Sequence, residues 1–115
     1  MILRGPILPE LLREETLADI LTRAATDFPR RTALIWHDRK VGYAELASSA
    51  GRIADGLLAV GCGPRKVVGL WLPRGAELLV AQAGIAMSGA AWLPFDSDAP
   101  FERVVTCLRA AGAAG

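Results

Sequence analysis

The chain has 115 residues, of which 52% are apolar and 22% charged, so it has the length of one domain or part of one and is too apolar for intrinsic disorder. Thirteen basic residues balance twelve acidic ones, and the net charge of +1 supplies no field that attracts nucleic acid or anionic lipid; neither is expected as a partner. Two widely separated cysteines and a single histidine exclude a disulfide framework and a zinc site, and free thiols suit a reducing cytoplasm.

The first residues form an arm and then a helix. Residues 1–15 contain Gly5, Pro6 and Pro9 without a sustained period and without a secretory signal, so we expect an N-terminal arm and a domain over residues 16–115. Thr16 can cap a helix whose apolar positions recur every three or four residues until Pro29.

A hairpin and a second helix follow. Residues 32–37 are strand formers, residues 38–39 turn the chain, and residues 40–42 provide a second strand. The apolar stripe over residues 44–60 predicts a helix, which Gly61 can end in the left-handed conformation.

The middle of the chain predicts a strand, a helix and a strand. Residues 67–72 read as a buried strand, and residues 75–88 as a helix that is apolar on nearly every side and therefore covered on both faces. Gly89 can cap this helix before a short strand over residues 90–93. The order strand, helix, strand within one compact unit predicts parallel pairing with a right-handed crossover.

One alternative for this region is a membrane span. Residues 78–95 carry no charge and reach the lower limit of a bilayer span, about 17 residues. Gln82, Ser88, Gly84, Gly89 and Pro94 disfavour a span, and buried parallel strands also read as continuous apolar runs. We therefore expect no membrane insertion.

The last predicted element is a helix that begins with Pro100, where the missing amide costs nothing. Phe101, Val104, Val105 and Leu108 line one face. Residues 110–115 are alanine and glycine only and are expected to fray and cap the helix.

Two segments resemble core motifs of the adenylate-forming enzymes, which include peptide-synthetase adenylation domains, acyl-CoA synthetases and luciferases. Residues 41–46, Val-Gly-Tyr-Ala-Glu-Leu, are similar to the first motif, with Gly42 where the family has Thr or Ser. Residues 86–96 followed by Pro100 and Arg103 are similar to the second, and their Leu-Pro-Phe-Asp ending resembles amino-acid activators. The similarity covers residues 16–112 and implies an α/β fold: the N-terminal part of an adenylation domain, with a partial parallel sheet, packing helices and an N-terminal hairpin.

The resemblance implies that a full-length relative uses ATP and Mg²⁺ to convert an amino or other carboxylic acid into an acyl-adenylate and then transfers it to the phosphopantetheine thiol of a carrier protein. The family's phosphate loop, ribose-binding acid and catalytic lysine have no match in these residues. No catalytic, cofactor-binding or metal-binding residue is therefore assigned, and the truncated portion is expected to be inactive alone. The implied partners are the remainder of the synthetase and its carrier protein.

Other candidate sites are weak. Gly61-Cys62-Gly63 lacks the third glycine of a dinucleotide loop and precedes a strand, so that interpretation is rejected. Ser88 lacks the earlier glycine of a hydrolase elbow, and His37 has no obvious acid partner. For Cys62 and Cys107 we favour a loop thiol and a core-facing thiol over reactive groups.

Two sets of side chains admit a binding role beside a structural one. A basic group brackets the hairpin and is interpreted as solvated surface rather than a phosphate or partner site: Arg30, Arg31, Arg39 and Lys40. The tryptophans fall in predicted strands and are interpreted as sheet packing rather than a stacking platform: Trp36, Trp71 and Trp92. The alternative function is a non-catalytic interaction module, a domain remnant that docks on a separately encoded partner through an exposed sheet edge.

Overall fold

The computed structural model describes residue 5 and residues 15–113, and nearly all of the predicted N-terminal arm lies outside this part. The described residues form four helices and four strands. The helices are α1 (Leu17–Asp27), α2 (Tyr43–Ala59), α3 (Ala76–Ser88) and α4 (Phe101–Ala110); the strands are β1 (Thr32–Trp36), β2 (Arg39–Gly42), β3 (Val67–Leu70) and β4 (Ala91–Pro94).

Helix α1 begins at Thr16, as predicted, and the cap is a reciprocal capping box with Asp19. The Asp19 amide donates to Thr16 Oγ1 over 3.2 Å, and the Thr16 amide donates to Asp19 Oδ2 over 3.1 Å. The helix lies against α2 and α3 but buries none of its own residues fully. Its capping therefore fixes where it begins, whereas its apolar face is only partly covered.

Strands β1 and β2 form the predicted antiparallel hairpin, in which Trp36 faces Arg39 and Leu34 faces Val41. His37 takes a positive φ of 53° in the turn. The inward face of the hairpin includes Val41, which is 1% exposed. Val41 is thus the buried side chain through which the hairpin packs against the rest of the chain.

Helix α2 begins at a glycine because carbonyl groups before the hairpin replace most of the missing cap. The Tyr43 amide donates to Arg31 O over 2.9 Å, and the Ala44 amide donates to Pro29 O over 3.1 Å. Gly42 itself has extended φ and ψ of −77° and 164° and provides no side-chain cap. The Glu45 amide is left for a capping side chain to bind.

Changing Gly42 to serine should raise the free energy of unfolding by about 0.5–1 kcal/mol, because a hydroxyl here can accept from the Glu45 amide. The nearest atoms to a Cβ at this position are carbonyl oxygens at 3.4 and 3.5 Å, which is ordinary contact. Urea unfolding followed by circular dichroism measures the change. Gly42→Ala is the matched control, since it adds the same Cβ without the oxygen; equal stability of the two variants would contradict the capping explanation.

The strand, helix and strand over β3, α3 and β4 form the predicted parallel unit. Val67 faces Ala91 and Leu70 faces Pro94 in a parallel register. Gly89 ends α3 with a left-handed φ of 87°, which returns the chain to the sheet. The main core lies between this sheet and the helices, and its buried members are Cys62, Val68, Leu70, Ile85 and Ala90.

Helices α2 and α3 approach each other closely at Gly84. A Cβ on Gly84 would lie 2.6 Å from both Cβ and Cγ2 of Ile53 and 3.1 Å from the Ala50 carbonyl oxygen. Ala50 and Ala54 on α2 are buried as well. Small residues on both helices therefore set the distance between them.

The structure corrects several boundaries. Pro100 was expected to be the first helical residue, but its ψ of 139° is extended and it is the N-cap, with its carbonyl accepting from the Arg103 and Val104 amides. The strand expected over residues 67–72 ends at Leu70, because β4 offers no residue beyond Pro94 to pair with Trp71. The uncharged stretch over residues 78–95 is divided between α3 and β4, and no helix among the described residues has the length and apolar character of a membrane span.

Candidate functional site

A groove with a volume of about 760 Å³ lies where β3 and β4 end. The carboxyl ends of parallel strands are where open α/β sheets usually bind ligands, so this groove is the first candidate site. It is built from the ends of both strands, the starts of α3 and α4, and the turn between β4 and α4. Its lining consists of Leu70, Leu72, Arg74, Leu78, Pro94, Phe95, Asp96, Ser97, Asp98, Ala99 and Arg103.

The groove carries two charges of each sign. Arg74 and Arg103 face Asp96 and Asp98 across an exposed surface. Within the described part of the chain, none of the four makes a side-chain hydrogen bond or an ion pair. Charges that are solvated and balanced in sign suit contact with a mixed polar surface better than capture of a highly charged ligand.

The groove lacks the arrangement that nucleophilic catalysis needs. Its one hydroxyl belongs to Ser97, and neither Asp96 nor Asp98 beside it forms a hydrogen bond with it as a base would. Ser97 is exposed and forms no hydrogen bond in the described structure. The groove can therefore position groups, whereas nothing in it is set to form a covalent intermediate.

The lining does not point to a nucleoside triphosphate with its metal, because its two arginines are balanced by two aspartates. No group of three or more His, Cys, Asp or Glu side chains among the described residues is placed to hold a metal ion. No chemical step through ATP or Mg²⁺ is assigned to these residues.

Ser88 and His37 lie at opposite ends of α3. The Ser88 hydroxyl donates to Ile85 O over 2.6 Å and accepts from the Ala90 amide over 3.3 Å, so it closes the end of the helix. His37 follows Trp36, whose ring lies beside Gly75 at the start of α3. The helix has 13 residues and is therefore about 20 Å long, so Ser88 and His37 are too far apart to act together as a catalytic pair.

The two thiols have the reverse of the expected environments. Cys62, expected as a loop thiol, lies in the loop after α2 but is buried in the main core. Cys107, expected to face the core, is exposed, because α4 turns Val104 inward in its place. Neither lies in the groove.

The basic group around the hairpin is largely solvated, as interpreted. Arg39 and Glu77 form an exposed ion pair at 2.9 Å, and the Arg31 guanidinium lies 4.6 Å from the centre of the Phe28 ring. An exposed pair of this kind contributes little to stability. The group is therefore explained by the surface of the hairpin without a ligand.

The tryptophans do not form one platform. Trp36 lies in β1 and Trp92 in β4, as predicted, whereas Trp71 lies beyond the end of β3. The Trp71 ring is 6.3 Å from the ring of Phe101 at the start of α4. Trp36 and Trp92 thus lie in strands as predicted, although Trp36 is 41% exposed, and the prediction that Trp71 belongs to a strand is wrong.

A second, apolar groove was missed by the sequence analysis. It has a volume of about 310 Å³ and lies between α1, α2, α3 and Trp92. Helix α3 was expected to be covered on both faces, but Leu79 in this groove is 48% exposed. The signal that could have found it is the apolar stripe of α1, which contains Leu17 and Leu21 and reaches the same surface.

Comparison with known proteins identifies a family and individual proteins that this chain resembles in sequence. The sequence profile of the AMP-binding enzymes matches residues 21–115. The delta-poly-L-ornithine synthetase of Acinetobacter baumannii is 49% identical over 114 residues, which are 99% of this chain and 9% of that protein. A dimodular nonribosomal peptide synthase of Bacillus subtilis is 37% identical over 89 residues, or 77% of this chain and 4% of that protein. The chain thus spans less than a tenth of the length of either relative.

The fold agrees with the sequence relatives. The N-terminal subdomain of Klebsiella oxytoca NpsA, solved in complex with anthranilyl-AMSN, superimposes with a TM-score of 0.77 and 31% sequence identity, over 85% of this chain and 26% of that one. The predicted fold class, an N-terminal adenylation subdomain with short sheets and packing helices, is confirmed. With the profile match extending over most of the sequence, this chain belongs to the AMP-binding enzyme family.

Proposed function

We propose that this chain is the N-terminal scaffold of the adenylation domain of a peptide synthetase, with residues 1–15 as an arm and residues 16–115 as the first part of a longer domain. The observation that carries the proposal is the 49% identity to a synthetase over 99% of the chain. The subdomain fold and the parallel unit over β3, α3 and β4 support it.

The proposed reaction of the whole domain is the activation of an amino or other carboxylic acid. The acid's carboxylate oxygen bonds to the α-phosphorus of ATP, pyrophosphate leaves, and the acyl-adenylate then passes its acyl group to a phosphopantetheine thiol with release of AMP. Mg²⁺ accompanies the ATP, a carrier protein supplies the thiol, and the setting is the cytoplasm. The part played by the present residues is structural, since their groove holds neither a nucleophile with its base nor a phosphate loop.

The isolated chain should not catalyse exchange of labelled pyrophosphate into ATP with any amino acid, because the groups that contact phosphate are absent from it. A graft gives the positive arm of the test. Residues 16–113 replace the matching residues of the Acinetobacter synthetase, and the chimera should retain exchange within about tenfold of the parent, since no transition-state contact is removed.

Exchange by the isolated chain above a control without protein would refute the scaffold role. So would a soluble chimera with native-like circular dichroism and no exchange. A graft carrying Gly84→Val is the matched control: it retains every polar residue of the groove and disturbs only the packing of the scaffold.

A second function, a free-standing interaction module, is favoured by one observation. Strands β3 and β4 form a two-stranded sheet among the described residues, so each strand has an unpaired edge that can add a strand from a partner. Light scattering on the isolated chain separates the two functions. A monodisperse monomer that melts cooperatively supports the module, whereas aggregation supports a scaffold that depends on the rest of its domain.

A further inference from the structure

The sheet of β3 and β4 has one face on the main core and a second face that is partly exposed. Val68 and Leu70 of β3 are buried in the core together with Ile85 of α3. Side chains alternate along a strand, so Val67 and Gly69 belong to the opposite face. Both of these residues are only half-buried. The side of β3 that is turned away from α3 is therefore open in part.

The same alternation holds in β4. Ala90 belongs to the core and Trp92 packs against it, whereas Ala91 between them is exposed. In the parallel register Ala91 is the partner of Val67, so the open sides of both strands form one surface. We call this surface the outer face; it consists of Val67, Gly69, Ala91 and Leu93, and Trp71 continues it beyond the end of β3.

Helix α4 reaches the outer face at Trp71 without covering it. The Trp71 ring lies 6.3 Å from the ring of Phe101, the first residue of α4. Trp71 nevertheless remains 38% exposed, and Phe101 is 68% exposed. Among the described residues, α4 makes no extensive contact with either strand of this sheet. The outer face thus lacks the helical layer that α3 provides on the core side.

The sequence of the two strands is that of a sheet covered on both faces. Parallel sheets occur almost only where helices or other layers cover both sides, and their strands are then continuous apolar runs. Residues 67–73 and residues 89–95 contain no charged or hydrogen-bonding side chain apart from the indole groups of two tryptophans. A sheet with one side in water would instead alternate apolar and polar residues. The outer face therefore suits an apolar protein surface, since a charged ligand would lose its hydration there without gaining a partner.

We propose that the outer face, with Ala91 and Trp71 in the contact, is the surface on which the remainder of the N-terminal adenylation subdomain packs; this inference rests on the proposed function. The matching part of the NpsA subdomain is 26% of that chain, so most of such a subdomain lies outside the region that this chain represents. Covalent continuity favours this occupant over a second copy of the chain, because parts joined in one polypeptide meet at an effective concentration in about the millimolar range.

Cysteine labelling in the grafted Acinetobacter synthetase tests the proposal. The graft of residues 16–113 carries Cys107→Ser, which removes the exposed native thiol, and either Ala91→Cys or Leu58→Cys. Both positions are exposed in this chain, and Leu58 lies on α2, away from the outer face. Iodoacetamide labelling is followed by mass spectrometry of the peptide that contains each position. The thiol introduced at Ala91 should react on the order of tenfold more slowly than the one at Leu58, because a covered thiol reacts only when the structure opens.

Trp71→Cys provides a second probe on the other strand and should be protected in the same way. Ala91→Cys adds a single sulfur atom, so the test does not depend on whether the loss of the Trp71 ring is tolerated. Equal rates at Ala91 and Leu58 would overturn the proposal. Protection at Ala91 that disappears on dilution of the synthetase would overturn it as well, since a second copy would then cover the face.

Pyrophosphate exchange by the same graft separates this inference from the proposed function. Slow labelling at Ala91 without exchange would support the covered outer face and refute the scaffold role in catalysis. Fast labelling at Ala91 with retained exchange would overturn the covered face, whereas the scaffold role would stand.

Discussion

Changing Gly84 to alanine should lower the free energy of unfolding by about 2 kcal/mol, although alanine is the better helix former. A Cβ at this position would lie 2.6 Å from two carbon atoms of Ile53 and 3.1 Å from Ala50 O. Ile53 is branched at Cβ and its atoms nearest to Gly84 are close to the backbone, so it cannot turn away by a change of rotamer. The two helices must move apart, which costs about 3 kcal/mol and exceeds the gain of about 1 kcal/mol in helix propensity.

Gly56→Ala provides the matched control within the same pair of helices. Gly56 lies inside α2, is exposed, and has no atom within 4 Å of the position of a Cβ. The same substitution should there raise the free energy of unfolding by about 0.5–1 kcal/mol. Urea unfolding of both variants measures the difference, and equal signs would show that contact between α2 and α3 does not depend on a glycine.

Sequence patterns correctly predicted those features that depend only on residues close together in the chain. The helix cap at Thr16 and the turn after Trp36 depend on residues within four positions of each other, and both lie where they were expected. The parallel pairing of β3 and β4 followed from the helix that connects the two strands. Element type and order were therefore predictable from the sequence.

The ends of elements and the faces of α3 were not predictable in the same way. Strand β3, which begins at Val67, ends at Leu70, opposite the last residue of its partner strand, Pro94. This boundary depends on the pairing of the two strands and not on the residues of β3 alone. The orientation of Cys107 depends on which side of α4 is buried, and two apolar neighbours in the sequence did not determine it. The open groove beside Leu79 depends on how α1, α2 and α3 pack together; the apolar stripe of α1 indicates a partner surface but not that part of this surface stays open.

The position of the groove at the ends of β3 and β4 was predictable from the sequence, but the residues that line it were not. Parallel pairing alone locates a cleft at the carboxyl ends of the strands. Its four charged residues come from three separate segments: Arg74 before α3, Asp96 and Asp98 after β4, and Arg103 in α4. The balance of charge that argues against a triphosphate there became visible only once the fold brought these segments together.

Changing Ile85 to alanine should lower the free energy of unfolding by about 2–5 kcal/mol, a large fraction of the stability of a typical domain. Ile85 is 3% exposed and belongs to the cluster that joins α3 to the sheet, with Val68, Leu70 and Ala90. Removing three carbon atoms leaves a cavity that backbone on both sides of the cluster cannot close. Circular dichroism and urea unfolding at 25 °C measure the loss.

Leu58→Ala is the control, since this leucine lies on α2 and is 49% exposed; it should change the free energy of unfolding by less than about 1 kcal/mol. The contrast tests whether α3 and the sheet form one cooperative core. If Ile85→Ala also cost less than about 1 kcal/mol, α3 would be stabilised mainly by its contact with α2 at Gly84, and the parallel unit would not be the structural centre of the chain. A loss of several kcal/mol at Ile85 together with a loss at Gly84 would show that the sheet and the pair of helices are stable only together.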